Sequence, residues 1–140
     1  MASANNSSFD SSFPKVDIHD PTVRKTVAQM VMKLFQNWGV DRATQCGLLG
    51  MSESSRPTLL LYEKGERGIP DNVDSLDRVS NLLAIHKNLR ILYLNPEDCY
   101  RWMSKPNLLF DGLNPAQFIA THGMRGMYTV RAFLERRRGQ

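Results

Sequence analysis

Apolar residues along this chain recur at helical spacing, and each such stretch is bracketed by start and stop signals of a helix. Val23, Val27, Met30, Val31, Leu34, Phe35 and Trp38 mark one face of a first helix. Asp20 suits its N-cap, Pro21 its first turn, and Gly39 its end. The pairing of a capping side chain with proline returns at Asn95-Pro96-Glu97 and Asn114-Pro115. Asp41 opens a short helix with Ala43, Cys46 and Leu49 on its buried side and Gly50 at its end. A third helix is expected from near Ser55 to Lys64, because Pro57 fits only a first turn. A longer pattern runs from about Asp74 to Leu94, as one bent helix or two, with Val79, Leu82, Leu83, Leu89 and Leu92 on one side. Cys99, Trp102 and Met103 form the apolar face of the helix opened by Asn95, and Lys105-Pro106-Asn107 breaks it. Phe118 and Ile119 follow Asn114-Pro115, Gly123 ends that segment, and a last helix is expected over about 126–138. No stretch alternates with the period of two that a half-buried strand requires, so the fold class is all-α.

Composition narrows the function more than the fold. A formal charge of +4 on 140 residues permits contact with nucleic acid or an acidic partner and requires neither. Cys46 and Cys99 are far apart, lack a CxxC or histidine companion, and occupy apolar helix positions, which makes them buried thiols rather than metal ligands or a disulfide. His19, His86 and His122 are scattered, and no HExxH or glycine-rich phosphate loop occurs, so neither catalysis nor a cofactor is expected. No run approaches the ~20 apolar residues of a membrane span and no signal-peptide core precedes the first helix, giving a cytoplasmic expectation. Residues 1–17 are rich in Ser and Asn and read as a flexible tail in which Phe9 and Phe13 stand alone.

Residues 41–50 and 53–64, two helices joined through Gly50-Met51-Ser52, have the layout of a helix-turn-helix. Within 55–67, Thr58, the Tyr62-Glu63-Lys64-Gly65 run and Arg67, with Pro70 beyond, resemble the Xre and Cro repressors over residues 20–86. The resemblance implies DNA contacts from Ser55, Arg56, Thr58, Lys64 and Arg67. The chain departs from that pattern by a turn about three residues longer, and by Leu60 and Leu61, which offer base edges no hydrogen bond.

From Ser75 onward the chain resembles the toxin-binding domain of the Xre, MbcA and ParS antitoxins. The run from Ser75 through Leu83-Ala84-Ile85 to Leu89 and Leu92 resembles its opening, and Trp102, Pro106-Asn107, Phe110, Gly112 and Pro115 its hallmark. Gly126, Val130 and Leu134 match its terminal helix. Read as residues alone, Trp102 and Phe110 are core anchors, Asn107 bonds local backbone, and Arg136-Arg137-Arg138 is a solvated basic helix end. The resemblance implies more: a partner toxin of RES type or resembling an ADP-ribosyltransferase, with Asn107, Arg131, Arg136, Arg137 and Arg138 toward it and one or more of the terminal arginines plugging its NAD cleft. It divides the chain into a tail (1–17), an Xre-like helix-turn-helix domain (18–74) and a small helical toxin-binding domain (75–140). The expected protein is a homodimeric antitoxin that also represses its own operon; a stand-alone helix-turn-helix regulator and a dimeric scaffold without DNA binding are the alternatives.

Overall fold

A computed structural model describes residues 16–139, and among them every regular element is helical. The tail expected over 1–17, with Phe9 and Phe13, lies outside the described residues but for Val16 and Asp17. The helices are α1 (Pro21–Trp38), α2 (Arg42–Leu48), α3 (Arg56–Lys64), α4 (Val73–Leu92), α5 (Pro96–Trp102), α6 (Pro115–His122) and α7 (Met124–Arg138).

The caps account for most of these boundaries. The side chains of Asp20, Asp41, Asn95 and Asn114 each accept a hydrogen bond from a backbone N–H of the first turn that follows. Asn114 and Gln117 form a reciprocal capping box. The long pattern is one helix of 20 residues, α4, and it begins at Val73 because the cap is Asn72 rather than a residue nearer Asp74. A short 3₁₀ turn, Glu53–Ser55, lengthens the connection between α2 and α3.

The core is continuous. Trp38, Phe35 and Leu48 from the first half and Leu82, Ile85, Met103, Ile119 and Leu134 from the second are all buried in one cluster. The expected stripe of α2 is widened: Cys46 and Leu49 are buried as expected, Gln45 and Leu48 are buried with them, and Ala43 is only partly so. α2 packs on α6 so closely that a Cβ added to Gly47 would stand 2.6 Å from the Cβ of Ala120. α1 lies against α3, α4 and α5, so the first three helices support the last four. The loop after α3 is tied to α1 through Arg24, whose Nη1 donates to the Ile69 carbonyl (3.0 Å) and whose own carbonyl accepts from the Ile69 N–H (3.2 Å).

α4 and α7 make the most extensive helix pair. Their cross-links advance together along both chains, from Asp77–Tyr128 to Asn81–Arg131 to Asn88–Arg138, so the two helices run parallel. Both cysteines are buried and free, and burial raises their thiol pKa above the ordinary value, which leaves them poor nucleophiles.

Candidate partner-binding surface

The chain leaves α5 at Trp102 and re-enters helix at Pro115, and the twelve residues between build a rigid knuckle. Asn107 holds it: its side chain accepts from the Leu109 N–H (2.9 Å), its carbonyl from the N–H groups of Phe110 (3.0 Å) and Gly112 (3.1 Å), and its N–H donates to the Leu113 carbonyl (3.0 Å). Asp111 (φ 60°) and Gly112 (φ 77°) then close a tight turn in which the Leu113 N–H bonds the Phe110 carbonyl. Two successive positive φ angles suit the Asp-Gly pair found there.

This bonding sorts the knuckle's apolar residues. Phe110 turns inward, 2% exposed, and meets Trp102, Phe118 and Phe133 with ring centroids 6.0, 5.1 and 5.7 Å away. Leu108 and Leu109 turn outward, 93% and 65% exposed. Trp102, read from sequence as core, is half-buried and stacks on Phe133 at 6.2 Å. Between the knuckle, the end of α4 and the end of α7 lies a cleft of about 150 Å³, whose lining includes Tyr93, Trp102, Asn107, Leu109, Phe133 and Arg137. Leu94, 99% exposed, follows Tyr93 at its edge.

The arginines expected to face a partner divide into two kinds. Arg131 donates to Asn81 Oδ1 (2.9 Å) and to Glu135 (3.0 Å), and Arg138 donates to Asn88 Oδ1 (2.7 Å). Both asparagines are 2% exposed and each also donates to the carbonyl four residues back, Asp77 and Ala84. These two guanidinium groups therefore tie α7 to α4. Arg136 and Arg137 are exposed, and Arg137 lies 5.8 Å over the Phe133 ring at the cleft's rim. Asn107 lines the cleft while its side-chain oxygen caps the knuckle.

The residues expected at DNA also fall into place on and around α3. Arg56, Lys64 and Arg67 are exposed, and Ser55 and Thr58 partly so. Arg56 pairs with Glu53 (3.0 Å), Arg42 pairs with Glu63 (2.9 Å), and Leu60 is 49% exposed. The surface thus carries alternating charge and one apolar side chain rather than a continuous basic strip.

Sequence reading missed Leu94, Leu108 and Leu109, which lie in connections and so belong to no periodic stripe. It also missed Asn81 and Asn88. Their seven-residue spacing matches that of Arg131 and Arg138, and this was the available signal.

Residues 88–139 match the family described as the antitoxin Xre/MbcA/ParS C-terminal toxin-binding domain. The chain is also 30% identical over 107 residues to the uncharacterized protein y4oB of Sinorhizobium fredii, covering 76% of this chain and 80% of that one. Residues 88–139 belong to the Xre/MbcA/ParS antitoxin toxin-binding domain family. No solved structure matches it. The segment matched to the antitoxin family's toxin-binding domain contains every residue of the cleft, the knuckle and α7. It opens on Asn88, the residue that receives Arg138. Among the described residues, no helix is long and apolar enough to cross a membrane, and no group of His, Cys, Asp or Glu is placed to hold a metal.

Proposed function

We propose that this chain is the antitoxin of a type II toxin–antitoxin pair, and that its C-terminal face covers the active site of an NAD-consuming toxin of RES type or one resembling an ADP-ribosyltransferase. The observation that carries the reading is the coincidence of the toxin-binding family match with a surface holding an aromatic-walled cleft and two exposed arginines, Arg136 and Arg137. A site for a dinucleotide must accommodate a pyrophosphate, and a guanidinium fork matches the carboxylates and phosphates found in such a place. Arg131 and Arg138, with Asn107, act one step back by fixing α7 and the knuckle.

The test is co-expression with the product of the adjacent gene, scoring growth and complex formation. Replacing Arg136 and Arg137 together with alanine is expected to leave the melting temperature unchanged and to weaken neutralisation by about tenfold or more, as loss of charged interface contacts does. Full protection by the double variant would remove the arginines from the mechanism.

Operator binding by a homodimer is the second limb of the proposal. It is supported by the α2–α3 helix pair and by exposed Arg56, Lys64 and Arg67, two copies of which would meet half-sites about 34–36 Å apart. A scaffold without DNA binding is favoured instead by exposed Leu60 and by the engagement of Arg56 with Glu53. A gel shift with the upstream promoter decides between them: a shift that weakens steeply with salt is expected of a repressor, and none at low salt leaves the scaffold.

A further inference from the structure

The leucines of the knuckle and of the α4–α5 connection are exposed by construction. Leu108 and Leu109 sit on a loop whose backbone is fixed by the Asn107 hydrogen bonds and the Asp111-Gly112 turn, so neither is able to turn inward without breaking that network. Leu94, also exposed, directly follows Tyr93, which lines the cleft. Single exposed leucines need no explanation, but Leu109 on the cleft wall, with Leu108 and Leu94 each next in sequence to a residue that lines it, marks a surface that is covered in use.

We propose that this cleft seats one apolar side chain carried on an acidic segment of the toxin, with Leu94 and Leu108 as the outer contacts and Arg137 pairing with the segment's carboxylate. The inference rests on the antitoxin reading and specifies what the partner presents. Size supports it: a cleft of about 150 Å³, with Trp102, Leu109 and Phe133 on its walls beside the polar groups of Asn107 and Arg137, is large enough for a benzene-sized body, which suits a Phe or Leu side chain next to a charged group. Charge supports it too. Arg137 lines the cleft and Arg136 precedes it on α7, while Glu135, the acid next to them in sequence, is already paired with Arg131. A second copy of the chain is a poor occupant, because a two-fold contact through this patch brings the arginines of both copies together. The toxin, rather than a free ligand, is indicated by the position of the whole patch inside the family's toxin-binding segment.

The probe is the product of the adjacent gene, purified and titrated against the full chain. Leu94→Asp and Leu108→Asp place a charge where the structure is open to solvent, so both variants should melt with the parent. Each is expected to raise Kd on the order of 100-fold, since a hot-spot contact is lost and an anion meets an acidic segment. Leu108→Met should stay near the parent, and Arg137→Glu should weaken binding more than Arg137→Lys. Parent-like affinity for both aspartate variants overturns the cleft assignment while the antitoxin reading stands. Failure of the unaltered chain to bind overturns both. If Leu108→Asp instead converts a dimer to a monomer in sedimentation and leaves toxin affinity intact, a second copy is the occupant and the proposal is wrong.

Discussion

Asn88 carries an amide into the contact between α4 and α7, where it is 2% exposed. An amide there costs stability unless both ends are bonded. Nδ2 donates to the Ala84 carbonyl (2.9 Å), and Oδ1 depends on Arg138 (2.7 Å). The arginine is exposed in outline and structural in effect. Arg138→Ala should therefore cost about 1–3 kcal/mol, the penalty of a stranded buried acceptor, seen as a fall of several degrees in melting temperature. Arg136→Ala should cost nothing measurable. Pairing Arg138→Ala with Asn88→Leu removes both ends of the bond and should recover most of the loss, because an apolar residue of similar volume asks for no partner. A melting temperature for Arg138→Ala equal to that for Arg136→Ala would discard the assignment. The same argument bears on how the tail is tested: deleting residues 135–140 removes this tie together with any toxin contact, whereas substitution at Arg136 and Arg137 touches the second alone.

At the scale of elements, the sequence is legible where one residue decides a boundary. Asp20, Asp41, Asn95 and Asn114 declare helix starts because a short polar side chain ahead of a helical stripe has few other uses. α4 begins earlier than expected because its cap, Asn72, is followed by Val73, which is 86% exposed and adds nothing to the stripe. Two of α4's buried positions are asparagines, so a reading of apolar period alone undercounts its core face. What escapes the sequence is pairing. The α2 stripe does not say that α6 covers it, and Gly47, where the helices nearly touch at Ala120, looks from sequence like an ordinary weak point in a short helix. His86 is similar: one of three scattered histidines in sequence, it stacks on Tyr100 at 5.8 Å, and burial lowers its pKa. The arginines that bind α4 and those left free differ only by register on α7, and register acquires meaning once the partner helix is known. The cleft was invisible for a related reason, since Tyr93, Asn107 and Leu109 of its lining come from connections.

The molecule as a whole is held by a core that passes through the position where sequence resemblance divides it. Residue 74 lies in the first turn of α4, and the helices before it supply Trp38, Phe35 and Leu48 to the same cluster as Ile119 and Leu134. α2 lies on α6 with Gly47 against Ala120, and α1 lies on α5, so removing the first half strips cover from two of the elements that shape the cleft face. The α1–α3 region therefore supports the shape of the cleft face mechanically, whether or not α3 also meets DNA. A piece comprising 75–140 would begin without the Asn72 cap, expose the faces of α5 and α6 that α1 and α2 cover, and fall in the size range where little core area is left to offset chain entropy. Such a piece is expected to show reduced helicity by circular dichroism and no cooperative thermal transition, while the full chain melts in one step. A sigmoidal melt with full helix content from 75–140 alone would mean that α4 to α7 form an independent domain, and that the contacts of α2 with α6 are dispensable to the cleft face.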